Sequence, residues 1–448
     1  MTLPTPTEAP PTFNGQKVAV VGLGIEGRDA VTFLEREGSE IVRVDRNPEQ
    51  ADRDQDDLTI LDEVDGIIAS QGVHYQQPLL AEADRRGVPV YGPTQIFLER
   101  CPAPVIGITG SAGKTTTTTL VHLMLQAAGV RCQVGGNIGR GLLAQLPDIT
   151  ATDTVVAELS HTQLLRTTRS PRTAAITNIT PNHLDQFSWE EYQELKYRIV
   201  EYQSPSDTVV LPFNDELAAA ATARTEAGQR WFGIDAPGMP WYCAMRSSDG
   251  KILHNDRPLM SVEEIKLPGE HNLLNALAAL AIVADLVPDD VAIDVLRNFS
   301  GVPHRLELIA EIECVRFIND SIATTPERTL AGLRATSGPI ILLLGGRDKN
   351  LPLDPLIDEI RSHVRRVVLF GESAPGWTAW LRERDIAAED AGSFGSAVRR
   401  AADCARSNDT VLMSPGGTSF DAYPNFEARG RHFRDLVEEL ARASEVVQ

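Results

Sequence analysis

Positive charge is scarce in this chain: 42 Lys and Arg stand against 62 Asp and Glu, a formal net charge of -20 over 448 residues. Nucleic acid and anionic membrane both need a basic face, so neither is expected as a partner. Long apolar runs are also missing, and no stretch approaches the roughly 20 residues that span a bilayer, so membrane insertion is not expected. Cysteine is sparse. Cys101, Cys132, Cys243, Cys314 and Cys404 are widely spaced, odd in number and without C-x-x-C pairing, which argues against a disulfide framework or a zinc site and fits a reducing cytoplasm. The first twelve residues are rich in Pro and Thr and lack the basic-then-apolar order of a signal peptide, so they read as a frayed tail. Beyond that tail there is no low-complexity tract, and no repeat at a solenoid period.

What the chain does contain is organised around Val105-Ile106-Gly107-Ile108-Thr109-Gly110-Ser111-Ala112-Gly113-Lys114-Thr115-Thr116. A buried-strand pattern breaks into small residues, and a Lys-Thr pair then opens a helix predicted over Thr117 to Ala128. Backbone N–H groups in such a loop cradle phosphate. The strict P-loop spacing wants a glycine at position 108, where Ile108 stands, so the loop is a variant, T-G-S-x-G-K-T. Lys114 neutralises terminal phosphates there, and Thr115 offers a hydroxyl to Mg2+. If the substrates are anionic, the attraction must be local, because the global field opposes it.

The length suggests about three domains. In the first, Lys17 to Val21 runs into Gly22-Leu23-Gly24-Ile25-Glu26-Gly27, a helix over Arg28 to Glu37 and a strand, Glu40 to Val44, ending in Asp45. A dinucleotide cofactor, another nucleotide ligand and a structural tight turn all remain open for this pattern. Further βα units follow at Gly66 to Ala69 with Ser70 and Gly72, and at Val88 to Tyr91. Cys101-Pro102-Ala103-Pro104 reads as a linker, and Gly301-Val302-Pro303 as a second hinge. The predicted domains are therefore residues 1–101, 102–303 and 304–448, all α/β, with alternating strand and helix signals in each.

In the central domain, Glu158 closes an apolar strand, where it is either a Mg2+ ligand or a helix-capping acid. Gly135-Gly136-Asn137-Ile138-Gly139 is either a close approach to a ligand or a plain reversal. His183 and Asp185 sit on a turn begun by Pro181, with a catalytic and a structural role both open for the histidine. Ser188 is the predicted N-cap of a helix to Glu201, with Glu191 at the capping-box distance. Lys196 on that helix, amid Glu190, Glu191 and Glu194, reads as a solvated salt-bridge partner. Asn214 to Trp231 reads as helix plus turn, and Trp241 to Leu267 as short strands around the turn Ser247-Ser248-Asp249-Gly250. Asn272 and Asn275 open a long Ala/Leu helix and share one face, either to read an adenine or as an ordinary polar helix start. The third domain shows strands at Val315 to Ile318, Pro339 to Leu344, Val367 to Phe370 and Thr410 to Met413, each closing on small or charged residues, with loops expected to face the central domain.

Taken in order, Thr109 to Thr115, Gly136-Asn137-Ile138-Gly139, Glu158-Leu159-Ser160, Thr177-Asn178-Ile179 with His183-Leu184-Asp185, Lys196, His271-Asn272 with Asn275, His304-Arg305-Leu306-Glu307 and Asn319-Asp320-Ser321 resemble the Mur ligase family across nearly the whole chain. The resemblance implies three domains: an N-terminal Rossmann-like one holding the uridine diphosphate of a sugar nucleotide, a central P-loop ATPase-type mixed sheet, and a Rossmann-like C-terminal one. No nicotinamide is then implied. It further implies a cytoplasmic, monomeric ligase of peptidoglycan biosynthesis that joins D-glutamate to UDP-N-acetylmuramoyl-L-alanine through an acyl phosphate made with ATP. On this reading Gly24, Ile25, Asp45, Arg46, Ser70, Gly72, Asn137 and His183 meet the sugar nucleotide. Gly110, Ser111, Gly113, Lys114, Thr115, Thr116, Asn272, Asn275, Arg305 and Asp320 meet ATP. Thr324, Lys349, Ser419 and Phe426 meet glutamate. Thr115, Glu158, His183 and Lys196, the last as a carbamate made with CO2, hold two Mg2+, and Lys114, Glu158, His183 and Lys196 form the catalytic set.

The chain departs from many relatives at Ile322 (Lys in the family), at His161-Thr162 (Ser-Phe), at Asn182 (Asp) and at Gly416-Gly417 (a bulkier pair). Ile322 and the glycine pair leave the identity and handedness of the incoming amino acid open, with L-glutamate as the alternative. A nucleotide-sugar oxidoreductase is a competing reading that leaves the phosphate loop and third domain unexplained. An ATP-gated binding module is another, and would bind ATP without amino-acid-dependent phosphate release.

Overall fold

A computed structural model describes residues 3–138, 141–184, 186–235, 241–246, 248–267, 269–349 and 351–447. Gly139, Asp185 and Ser247, named above, lie outside the described residues. The chain divides into two compact units, Met1–Phe299 and Ser300–Gln448.

The first unit holds two sheets. Strands β1 (Lys17–Val21), β2 (Glu40–Val44), β3 (Gly66–Ala69) and β4 (Val90–Tyr91) form a sheet in the order β2-β1-β3-β4, parallel throughout. Strands β5 (Val105–Thr109), β6 (Cys132–Gly136), β7 (Thr154–Glu158), β8 (Thr173–Ile176), β9 (Thr208–Pro212), β10 (Gly228–Ile234), β11 (Tyr242–Arg246), β12 (Lys251–His254) and β13 (Arg257–Ser261) form a nine-stranded sheet in the order β13-β12-β11-β10-β9-β8-β5-β7-β6. It is parallel from β6 to β11 and antiparallel only at the β11-β12-β13 edge. That pattern follows from the residues. β5, β7 and β8 are almost wholly apolar and buried, as parallel strands covered on both faces must be.

The segment read as a linker is not a free one. Ala103 is buried and Cys101 packs against a core that runs from Phe13, Val18 and Phe33 to Val105, Val155 and Ile176, so one apolar cluster joins the two sheets. Polar contacts join them as well. Asp29 accepts from the Leu143 and Ala144 N–H groups at 2.8 and 3.1 Å, and Arg166 pairs with Asp84 at 3.1 Å.

Three local readings are corrected. The helix after the phosphate loop begins at Lys114 and runs to Ala127, because Gly113, at φ +83°, turns the chain straight into it. Ser188 caps its helix, with Glu191 completing the capping box, but the helix Trp189–Tyr197 stops before Glu201. The end of Asn214 to Trp231 is not helical: a short helical stretch over Glu216–Arg224 gives way to β10, whose residues pair with β9 and β11.

The second unit is a six-stranded sheet of β14 (Glu307–Ile312), β15 (Val315–Asn319), β16 (Ile340–Gly345), β17 (Val364–Phe370), β18 (Ala388–Asp390) and β19 (Thr410–Gly416), ordered β14-β15-β19-β16-β17-β18. Only β14 is antiparallel. β14 and β18 went unread in the sequence because both are edge strands without a buried apolar run. The carboxyl ends of β15, β19 and β16 are neighbours, where open parallel sheets take ligands. Among the described residues no helix is long and apolar enough to cross a membrane.

Candidate active site

At the carboxyl end of β5, Gly110 takes φ +148° and Gly113 φ +83°. A Cβ at the first would run into Thr177 Oγ1, and at the second into Asn275 Oδ1, so both positions require glycine. The loop is held from the next strand. Asn178 accepts from the Ala112 N–H at 2.9 Å and donates to the Ala112 carbonyl at 3.1 Å. The Thr177 hydroxyl donates to the same carbonyl at 2.6 Å. Ser111 Oγ donates to the Thr180 carbonyl at 2.8 Å and accepts from the Tyr192 hydroxyl at 3.0 Å. Lys114 Nζ donates to the Gly110 and Ser111 carbonyls at 2.7 and 3.2 Å. Asn275 is not an outward partner of Asn272: it is buried, facing Thr117 and the Gly113 backbone.

Lys196 overturns its sequence reading as a surface salt-bridge residue. It is 1% exposed, and Nζ donates to Thr109 Oγ1 at 3.1 Å and to the Gly110 carbonyl at 2.9 Å. It lies 5.3 Å from the Tyr192 ring centroid. No carboxylate pairs with it among the described residues. Burial pushes this amine well below the usual lysine range, the Lys114 ammonium pushes it further, and Glu158 opposes both. Burial of this kind favours the neutral form of an amine, which is the nucleophilic one.

Glu158, 1% exposed at the end of β7, accepts from Asn137 Nδ2 at 2.8 Å through Oε1, while Oε2 is buried with no partner. It does not cap the helix that follows. Ser160 does, its hydroxyl accepting from the Gln163 N–H at 3.2 Å. His183 is exposed at φ +54°, and its ring lies 4.4 Å, centroid to centroid, from that of His161. His161 is 6% exposed and has a buried Nε2 with no partner. Burial, Lys196, His183 and Lys114 together push its pKa down to about 3. The sequence marked His161 only as a departure. Among the described residues no three His, Cys, Asp or Glu side chains cluster to hold a metal.

The proposed sugar-nucleotide residues divide. Ser70 and Gly72 line a cavity of about 560 Å³ together with Glu26, Gln71, Gln163 and Arg166. Gly24, Ile25, Asp45, Arg46, Asn137 and His183 are outside its lining. Asp45 is engaged by the glycine turn, accepting from the Leu23 N–H at 2.6 Å and the Asn47 N–H at 2.9 Å. The Ser70 hydroxyl donates to the Gly22 carbonyl at 2.5 Å. Glu26 went unread. Buried, it accepts from Gln163 Nε2 at 2.5 Å and the Gln71 N–H at 3.1 Å, and burial raises its pKa.

In the second unit, Asp320 is 4% exposed and accepts from Ser414 Oγ at 2.7 Å and the Leu306 N–H at 3.3 Å. Burial raises its pKa to about 6, against the pull of those two bonds and of Arg305 and Arg328. Arg429, fully buried, donates to the Ser321 and Gly417 carbonyls at 3.0 and 3.2 Å, and Ser321 Oγ donates to the Phe426 carbonyl at 2.8 Å. Thr324, Lys349 and Ser419 follow β15, β16 and β19, and no hydrogen bond between their side chains occurs among the described residues.

Asp320→Asn should stabilise this unit at alkaline pH. An aspartate whose folded pKa exceeds its unfolded value makes folding costlier above the folded value, about 6, and the cost disappears as pH falls below the unfolded value near 4. The gain should be roughly 1–3 kcal/mol at pH 8 and shrink toward pH 4. Denaturant unfolding of both proteins across that range checks it, and a gain that does not vary with pH would contradict it.

These features define an α/β protein with a glycine-rich loop of phosphate-binding type at the carboxyl edge of its nine-stranded sheet. Residues 108–283 match the Mur ligase middle domain, and residues 304–417 match the Mur ligase, glutamate ligase domain. The chain is 36% identical to the UDP-N-acetylmuramoylalanine–D-glutamate ligase of Acetivibrio thermocellus, over 96% of this chain and 97% of that protein. It is 37% identical to the ligase of the same name from Symbiobacterium thermophilum, over 95% and 98%. Its fold is similar to the crystal structure of the UDP-N-acetylmuramate-alanine ligase MurC from Thermotoga maritima, with a TM-score of 0.53 at 20% identity, over 95% of this chain and 99% of that one. The chain belongs to the Mur ligase family.

Proposed function

We propose that this chain joins D-glutamate to UDP-N-acetylmuramoyl-L-alanine in an ATP-dependent step of peptidoglycan precursor synthesis. The relatives that carry this name span nearly the full chain at 36 and 37% identity. The observation that carries the chemistry is Lys196: a buried amine with no carboxylate paired to it among the described residues, bonded to Thr109 and Gly110 at the start of the phosphate loop. An alanyl carboxylate oxygen takes the γ-phosphoryl group of ATP, giving an acyl phosphate and ADP. The glutamate amine then attacks the acyl carbon, the amide C–N bond forms, the C–O bond to phosphate breaks, and the amine releases a proton.

Lys114 leaves the Gly110 and Ser111 carbonyls to meet the phosphates. Ser111, Thr116 and the loop N–H groups orient them, with Asn272 beside the loop helix. Glu158, with one oxygen unpartnered in a buried setting, suits a hard cation, and Thr115 adds a hydroxyl. These two hold one Mg2+, while His183 and the carbamate form of Lys196 hold a second. When bound, the ions balance the charge of the transferring phosphoryl group. The sugar nucleotide meets Gly24, Ile25, Asp45, Arg46, Ser70, Gly72 and Asn137, its muramoyl-alanine end reaching His183. In the second unit Thr324, Lys349, Ser419 and Phe426 hold glutamate, on a loop frame fixed by Arg429.

Phosphate release with UDP-N-acetylmuramoyl-L-alanine, ATP and Mg2+ tests the reading. D-glutamate should give sustained turnover, and L-glutamate and other amino acids should give only background. Turnover with another amino acid alone would overturn the specificity and spare the ligase chemistry. NAD(P)H turnover without phosphate release would overturn both.

A further inference from the structure

Two buried side-chain atoms near Lys196 have no partner: Glu158 Oε2 and His161 Nε2. The carboxylate oxygen already has a role as a cation ligand. The imidazole nitrogen has none. A buried polar atom left unpaired costs about 1–3 kcal/mol, so its retention in an otherwise well-bonded loop calls for a partner that arrives later. Its surroundings limit what that partner is. The His161 ring packs 5.2 Å from the Tyr192 ring, 5.1 Å from Phe187 and 4.4 Å from His183, and Lys196 Nζ approaches the same Tyr192 ring at 5.3 Å. His161 and the lysine amine therefore flank one aromatic side chain. Ser160 fixes the backbone beneath His161 through its capping box with Gln163, and the ring itself is buried.

We propose that His161 is a positioning residue for the carboxylated form of Lys196: its Nε2–H donates a hydrogen bond to a carbamate oxygen, while its ring face holds the imidazole of His183. The inference rests on the carbamate reading of Lys196 above. The modification balances simply. The amine lone pair attacks the carbon of CO2, an N–C bond forms, one C–O π pair moves onto oxygen, and the nitrogen gives a proton to water. The product anion then lies in a buried setting where it needs a donor on its distal side, since Thr109 Oγ1 and the Gly110 carbonyl face the nitrogen. Service as a further nitrogen ligand beside His183 suits His161 less well, because Mg2+ prefers oxygen and keeps its waters. A nitrogen behind a ligating oxygen orients that oxygen instead.

The test is carbamate occupancy in the full chain, read by 13C NMR with 13C-bicarbonate at a limiting concentration, for the parent protein, His161→Phe and His161→Gln. His161→Phe keeps the ring and loses the donor; His161→Gln keeps a donor on a chain of similar reach. Occupancy should fall roughly tenfold in His161→Phe, as expected for loss of a hydrogen bond to a charged group, and recover most of the way in His161→Gln. Equal occupancy in all three would overturn the role of His161 and leave the carbamate standing. A loss in His161→Gln as deep as in His161→Phe would also overturn it, because shape and not donation would then be what matters. No carbamate in the parent protein would overturn this proposal together with the carbamate reading. Should His161→Phe fail to fold, His161→Leu against His161→Gln makes the same comparison.

Discussion

Replacing Lys114 with Ala should reduce ADP formation at least a thousandfold while leaving the fold intact. The lysine sits at the first turn of the helix Lys114–Ala127, and its ammonium rests on two carbonyls of its own loop at 2.7 and 3.2 Å. Those bonds are neutral-acceptor bonds at a half-buried position, each worth roughly 1 kcal/mol, so little stability depends on them. The charge matters where negative charge builds up on the transferring phosphoryl group, and loss of one such charge in a water-poor site costs roughly 3–5 kcal/mol of barrier. The stability cost and the catalytic cost therefore separate cleanly. Lys114→Arg should not restore the rate, because a planar guanidinium does not replace a compact ammonium between loop carbonyls and phosphate. Coupled ADP release and thermal unfolding on the same samples decide it. A mutant within tenfold of the parent rate, or one that loses both rate and fold together, would contradict the role given to this side chain.

The parts of this molecule legible in its sequence are those set by neighbours in the chain. The phosphate loop is one, since Gly110 and Gly113 serve conformations and close approaches that other residues do not tolerate. The Ser188 capping box with Glu191 is another, because the hydrogen bonds span three residues. What distant elements decide was not legible. Lys196 stands among three glutamates in sequence, yet the helix Trp189–Tyr197 turns it inward onto Thr109 and Gly110, some 86 residues away. Asn275 shares a helical face with Asn272 in a wheel projection, but packing against the helix of the phosphate loop takes it out of contact with solvent. Glu26 looks like the variable position of a glycine motif and is a buried junction between the two sheets of the first unit. β14 escaped notice because its pairing with β15 runs antiparallel across a tight reversal at Glu313 and Cys314, both at positive φ, without an apolar run to announce it. For these side chains local pattern gives the element and tertiary burial gives the role; for β14 the pairing itself gives the element.

Lys196→Met should abolish turnover without lowering stability at pH 7, a combination that a purely structural lysine does not produce. An amine whose folded pKa is held well below its unfolded value, by burial first and by Lys114 second, gives up its proton more readily in the folded chain than in the unfolded one. That difference costs stability below the unfolded pKa of about 10.4, and the cost fades as pH rises toward it. Methionine removes the cost and fills similar volume. It also forfeits the bonds to Thr109 Oγ1 and the Gly110 carbonyl, each worth roughly 0.5–1.5 kcal/mol, so the melting temperature at pH 7 should be equal to or above the parent's. The advantage of the mutant should shrink as pH approaches 10. Lys196→Ala adds a second handle, because the space left by the side chain admits acetate or formate, and either should restore part of the phosphate release by presenting carboxylate oxygens where the carbamate would stand. Turnover unchanged in Lys196→Ala would eliminate the carbamate. A Lys196→Met protein that melts well below the parent at pH 7 would make this lysine a structural donor whose burial the fold itself requires. The stability profile and the carboxylate rescue thus address the same amine from opposite sides: a residue that weakens the fold, and whose chemistry an added anion replaces, is held in place by what it does to the substrate.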